Sequence, residues 1–265
     1  MANATRDTGH DASRVSPRAA AVIVAHGERG GAFSNAIVKG HATQAAAVLP
    51  DVAVAAGVLS GEPPLEEALA EVAARTSGPI LLYPFFMAPG YFVNVKIPKR
   101  LADAGVASRC RVLPVLGMEG PLPVVIRDHA MRASAETGAA PAACRLLLVG
   151  HGSKVARASA EATEAVAACL RELGGFASVA TAFLEEAPFL DDVIVADARP
   201  TVVVGFFNGD GLHAAEDVPQ AVASFEGPIA YTGPVGAFPE VSTLIARSIA
   251  AAVAACDDAA ATPQT

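Results

Sequence analysis

The chain carries the same pattern twice. V-A-H-G at 24–27 returns as V-G-H-G at 149–152, and V-L-S-G-E-P-P-L-E-E at 58–67 returns as F-L-E-E-A-P-F-L-D-D at 183–192. Y-P-F-F-M-A-P-G-Y-F-V-N-V-K-I-P at 83–98 lies over V-G-F-F-N-G-D-G-L-H-A-A-E-D-V-P at 204–219 without a gap, and P-V-L-G at 114–117 lies over G-P-V-G at 233–236. A spacing that stays at roughly 120–125 residues through all four segments marks a duplication. Whatever fold one half adopts, the other half is expected to share.

The periodicity says which fold. In the second half, β-branched apolar runs at 145–149, 178–183 and 201–207 alternate with amphipathic stretches at 154–173 and 189–196, the pattern of βαβ units. Val155, Ala158, Ala162, Ala165, Val166, Cys169, Leu170 and Leu173 fall at helical spacing, and Gly174 and Gly175 stop that helix. A helix at 218–225, a short strand at 228–231 and a last helix at 241–255 complete the half. The first half offers strands at 20–25, 52–59, 80–86 and 111–115, most of them followed by a helical pattern. The expected fold class is α/β: two tandem duplicated domains, each a small parallel sheet flanked by helices. The expected units are 19–136 and 144–256, with a linker at 137–143 and loose polar tails at 1–18 and 257–265.

Composition narrows the function. A formal net charge of −8 without a basic cluster disfavours a nucleic-acid surface, while a polyanionic small molecule would need only a local basic patch. Apolar runs such as those at 22–25 and 146–149 fall far short of the roughly 18 residues of a membrane span. No signal peptide is visible, so the chain reads as soluble, with no membrane partner. Four dispersed cysteines, Cys110, Cys144, Cys169 and Cys256, form no C-x-x-C pair and suit a reducing cytoplasm.

In an open parallel sheet, ligands bind beyond the carboxyl ends of the strands. His151 follows the first strand of the second half, Glu185 the second, and His213 comes after the third. Two imidazoles and a carboxylate make a divalent-metal set with room for exchangeable ligands, and the same groups can accept protons near neutral pH. A helix start after His151 would also receive an anionic group. Each residue alone reads as an ordinary loop residue; their joint placement after successive strands is what points to a site. The first half is an internal control: His26 matches His151, but Ser60 stands where Glu185 does and Phe92 where His213 does. That crevice keeps one ligand of three, and His26, Met87, Tyr91 and Phe92 are left to line a substrate or to pack.

These residues resemble the class II tetrapyrrole chelatases, in particular sirohydrochlorin chelatases of the CbiX type in their long, two-domain form. The resemblance rests on L-L-V-G-H-G-S at 147–153, A-F-L-E at 182–185 and G-L-H-A-A-E-D-V-P at 211–219, and it covers nearly the whole chain. It implies insertion of Co²⁺ or Fe²⁺ into sirohydrochlorin, in cobalamin or siroheme biosynthesis, with no organic cofactor and the divalent metal as a substrate. The family's metal ligands and catalytic groups fall on His151, Glu185 and His213. Glu216 and Asp217 would assist secondarily, in metal entry or in orienting His213.

That chemistry suits the residue types. Insertion strips water from the metal and removes two pyrrole N–H protons, so the ligands must release the ion; imidazole and carboxylate do, where a Cys₄ cage would trap it. The substrate-binding candidates are His26, Tyr91, Phe92, Ser153, Lys154 and Asn208, with Lys96, Lys99, Arg100 and Arg157 as further partners for substrate carboxylates. The competing readings are a non-catalytic tetrapyrrole- or metal-binding protein of the same fold and a histidine phosphatase. The phosphatase lacks its R-H-G arrangement, because Ala25 and Gly150 stand where the arginine would. A monomer or a homodimer fits a fused duplication.

Overall fold

The structure, a computed structural model, describes residues 16–28, 35–195, 197–209, 211 and 213–261. The first half runs β1 (Ala19–Ala25), α1 (Ala36–Val48), β2 (Val52–Val58), α2 (Leu65–Arg75), β3 (Ile80–Pro84), a π-helical turn (Phe92–Lys96) leading into α3 (Ile97–Asp103), β4 (Cys110–Val112) and α4 (Leu122–Ala133). The second runs β5 (Arg145–Gly150), α5 (Ala158–Leu173), β6 (Ser178–Phe183), α6 (Leu190–Val195), β7 (Thr201–Gly205), a π-helical turn (His213–Asp217) leading into α7 (Val218–Ala223), β8 (Ile229–Pro234) and α8 (Pro239–Ala261). Each half holds a four-stranded parallel sheet, in the orders β2-β1-β3-β4 and β6-β5-β7-β8.

Both faces of each sheet are covered, so the strands read as continuous apolar runs. Alternation of side chains assigns the faces: Ala19, Ala21, Ile23 and Ala25 of β1 enter one cluster, and Ala20, Val22 and Val24 enter another with α2 and α3. In β5, Leu146 and Leu148 face the same central cluster, while Leu147 and Val149 face α6 and α7. The central cluster therefore belongs to both sheets.

The helices explain why. α4, the last helix of the first half, packs on β7 and β8 of the second sheet and on α5. α8, the last helix of the second half, packs on β3 of the first sheet and on α1. Each repeat covers one face of its neighbour, and α1, α4, α5 and α8 form a helical layer between the sheets. Removing a side chain from this layer's contacts, as in Leu148→Ala, would cost about 2–5 kcal/mol.

The element boundaries differ from sequence expectation where side chains compete with regular structure. α5 begins at Ala158 rather than near Lys154, because the Ser153 hydroxyl accepts the N–H groups of Val155 and Ala156 and holds a turn in front of the helix. β4 ends at Val112, before Pro114, which has no N–H for the ladder. α8 continues through Ala261, into a segment expected to be loose; its alanines favour helix, and Arg18 pairs with Asp257. The expected N-terminal tail lies mostly outside the described residues. By length and composition α8 is also apolar enough to cross a membrane. Short-run counting missed it because Arg247 interrupts the run; its Val241, Leu244, Ile245, Ile249 and Val253 are buried in the central core.

Candidate active site

The order of each sheet reverses at its first strand, where the chain leaves to one side for the second strand and to the other for the third. Loops diverge there and open a crevice. In the second half, His151 directly follows β5, Glu185 follows β6, and the π-helical turn opening at His213 follows β7; β6 and β7 are the two neighbours of β5. The backbone ties these loops together. The Glu185 N–H donates to the His151 carbonyl at 3.0 Å, and the Phe206 N–H donates to the Val149 carbonyl at 2.7 Å.

The His151 ring is exposed at the crevice, and its Nδ1 lies 2.8 Å from the Gly152 carbonyl. A carbonyl only accepts, so the ring nitrogen facing it, Nδ1, is the one that carries a proton in this contact. Gly152 has φ +72°, and a Cβ there would meet Glu186 Cγ at 2.9 Å and Phe183 Cβ at 3.0 Å. Glu185 is half-buried beside it. The π-helical turn of His213 is fixed from below: the Ala214 N–H donates to Gly211 and its carbonyl accepts the Tyr231 hydroxyl at 3.1 Å. Such turns inside helices recur at functional sites. The His213 ring lies outside the described atoms, and among the described residues no three His, Cys, Asp or Glu side chains form a metal-holding group.

The first half repeats the scaffold and changes its contents. Ser60 N–H donates to the His26 carbonyl at 2.9 Å, as Glu185 does to His151, and His26 Nδ1 lies 3.1 Å from the Gly27 carbonyl. The matching π-helical turn begins with Phe92, whose ring meets the His26 ring edge-on at 4.4 Å. Phe86 stacks behind Phe92, and Tyr91 stands beside it, 59% exposed, with Lys96 Nζ 5.6 Å from the Tyr91 ring centroid. This side is an aromatic panel rather than a ligand set.

The remaining candidates divide by what they touch. Ser153 donates its N–H to Glu186 Oε1 at 2.9 Å, and Lys154 beside it is exposed. Asn208 crosses between the halves, its Nδ2 donating to the Phe85 carbonyl at 2.9 Å. Glu216 and Asp217 are exposed on the π-helical turn. Arg100 is held by Glu66 and the Leu59 carbonyl, Lys99 pairs with Asp103, and Arg157 pairs with Glu161. Because α5 starts at Ala158, the anion-receiving helix start expected directly after His151 is not formed there.

Sequence reading missed two residues of this scaffold. Glu186 buttresses the His-Gly-Ser loop through Ser153, and the Ser159 hydroxyl accepts the Gly152 N–H at 3.2 Å. The doubled Glu185-Glu186, against Ser60-Gly61 in the other half, was the available signal for Glu186.

The CbiX family profile matches residues 20–133 and again 145–252. A probable sirohydrochlorin cobaltochelatase from Halobacterium salinarum is 28% identical over 166 residues, 54% of this chain, and the match spans 57% of that relative's length. Among solved structures, a CbiX described as the terminal enzyme for biosynthesis of siroheme in denitrifying bacteria is 33% identical over 88% of this chain and 98% of its own, with a TM-score of 0.74. SirB from Bacillus subtilis with Fe³⁺, 16% identical over 88% of this chain and 94% of its own, has the same fold at a TM-score of 0.73. Two consecutive family matches, laid over two sheets of one topology, make this chain a member of the CbiX family.

Proposed function

We propose that this chain inserts Co²⁺ or Fe²⁺ into sirohydrochlorin, with His151, Glu185 and His213 as transient metal ligands and proton acceptors. The observation that carries the reading is the convergence, on β5 and its two neighbours, of the loops bearing these three residues, in a chain of the CbiX family. The names of its relatives agree: a probable sirohydrochlorin cobaltochelatase, a CbiX of siroheme biosynthesis, and a SirB sirohydrochlorin chelatase solved with cobalt. The chemistry is an exchange in which one divalent ion enters and two pyrrole protons leave. With Nδ1–H engaged by the Gly152 carbonyl, His151 offers Nε2 to the metal or to a departing proton. Glu185 adds the carboxylate charge that offsets the dication without trapping it. Lys154 and Lys96, both exposed, are the cations best placed to meet substrate carboxylates, and Tyr91 and Phe92 offer the macrocycle an aromatic face. The metal is a substrate and no organic cofactor is required. Four free thiols suit a reducing cytoplasm as the site of action.

The test is insertion followed by absorbance, with Co²⁺ and Fe²⁺ side by side and a less carboxylated porphyrin as the comparison substrate. Catalysed insertion into sirohydrochlorin that disappears in His213→Ala is the expected outcome. Rates equal to the uncatalysed background in the unaltered protein would refute it.

A further inference from the structure

The loop that leads to His213 is anchored outside its own half. It leaves β7 through N-G-D-G at 208–211, and glycines at 209 and 211 give it little stiffness of its own. At its front end the Asn208 amide donates to the carbonyl of Phe85, a buried residue directly after β3 of the first sheet. The next residue, Gly209, lies on the first half as well: a Cβ there would sit 2.8 Å from Oε1 of Glu28, on the loop after β1. That carboxylate is itself fixed, since its Oε2 accepts the Asn35 N–H at 2.8 Å while the Asn35 side chain accepts the Glu28 N–H at 2.9 Å. Behind the loop, a Cβ at Gly236 would meet the Asn208 carbonyl oxygen at 2.2 Å, and the Gly236 carbonyl is bonded to His41 of α1.

The matching loop of the first half is tied differently. Met87 stands where Asn208 does and has no amide, and Pro89 stiffens the chain that follows. The Asn94 amide, from the π-helical turn itself, donates to the Pro89 carbonyl at 2.7 Å. Ala215 stands where Asn94 does, so the second half has no side-chain donor for that internal tie. Each half thus carries one asparagine amide on this stretch. In the first half it closes the loop on itself, and in the second it crosses to the other sheet.

We propose that Asn208 is a positioning residue for His213 rather than a substrate contact: its amide latches the loop to the Phe85 carbonyl and fixes where the turn opening at His213 begins. The first half then sets the metal site of the second without supplying a ligand to it. This inference rests on the reading of His213 as a metal ligand. The Ala214 carbonyl, held by the Tyr231 hydroxyl, pins the turn from the rear, and the latch pins it from the front. Losing the partner that orients a metal ligand costs roughly 10–100-fold in metal affinity or activity, and a partner acting through a short stretch of chain belongs at the low end of that range.

The test compares Asn208→Ala and the isosteric Asn208→Asp, whose carboxylate has no N–H to donate, with the unaltered full chain. Co²⁺ binding without tetrapyrrole, followed by visible absorbance, should weaken about tenfold in both variants. In the insertion assay kcat should fall and KM for Co²⁺ rise, while KM for sirohydrochlorin stays within about twofold. Added to His213→Ala, Asn208→Ala should cost nothing further, because both changes act through one ligand. Hydrogen exchange of the backbone amides at 214–218 should quicken in the variants, with those at 93–97 unchanged. A raised KM for sirohydrochlorin with Co²⁺ binding and kcat unchanged would make Asn208 a substrate contact. Lower urea stability with Co²⁺ binding and turnover per folded molecule unchanged would make the latch merely structural. Either result overturns the proposal with the unaltered chain still active, whereas an unaltered chain that neither binds Co²⁺ nor inserts it would refute the chelatase reading itself, and the role of Asn208 with it.

Discussion

The His26 and His151 loops are built to one plan and furnished differently. Each histidine follows the central strand of its sheet, leans its Nδ1 on the next glycine's carbonyl, and accepts a backbone N–H from the loop after the neighbouring strand. What differs is what that shared scaffold presents: Ser60 and a phenylalanine-led π-helical turn in one half, Glu185 and a histidine-led turn in the other. The scaffold is therefore kept where the side chains it presents have changed.

The sharpest way to break that division is to remove the histidines one at a time. His151→Ala and His213→Ala are expected to lower the initial rate of Co²⁺ insertion by about 100-fold or more, whereas His26→Ala should stay within about threefold. Equal losses from His26→Ala and His151→Ala, with both proteins folded by circular dichroism, would end the distinction. The glycines sharpen it next. A Cβ at Gly27, φ +103°, would sit 1.8 Å from the Ser60 carbonyl oxygen, and backbone cannot yield cheaply. At Gly152, φ +72°, the nearest obstacle is the Glu186 side chain. Gly27→Ala should thus lower stability by about 3 kcal/mol or more in urea titrations, and Gly152→Ala by about half that while depressing the insertion rate through the displaced Glu186.

The seam between α1 and α8 has a pH signature at His41, which is buried with Nε2 2.7 Å from the Gly236 carbonyl and Nδ1 2.6 Å from Ser242 Oγ. Burial pulls the His41 pKa down from its ordinary value, only partly opposed by the bond to Gly236. The unfolded chain then binds the proton more readily than the folded one, so stability is complete above about pH 6.5 and falls as pH drops below it. His41→Gln, which keeps polar contacts without a titrating ring, should flatten that slope; an unchanged slope in urea midpoints between pH 7.5 and 5.5 would place its origin elsewhere. His129 shifts in the same direction, chiefly through burial, and His129→Gln measures its share. The smallest expected effect is at the loop buttress: Glu186→Gln keeps an acceptor for the Ser153 N–H and should change the insertion rate about twofold, against about tenfold for Glu186→Ala.

Much of this was legible in the sequence because duplication and strand alternation are local patterns. The four strands of each half and the positions of His151, Glu185 and His213 at strand ends follow from apolar runs and their offset. The π-helical turns did not, since five residues of wider winding leave no compositional trace distinct from a helix start. Nor did the assignment of α4 and α8: an amphipathic pattern shows that a face is buried without saying which sheet buries it. Glu185 and Glu186 illustrate the same limit at the scale of one residue. Adjacent carboxylates read alike, and only the loop geometry gives Glu186 to Ser153.

The crossed packing of α4 and α8 carries a consequence for how the two copies could diverge. Once each sheet relies on a helix encoded by the other repeat, neither copy can be deleted without stripping apolar surface from its sister. A repeat in that position is free to change the side chains at its crevice but not its shape, and that crevice becomes raw material held in place by a structural debt.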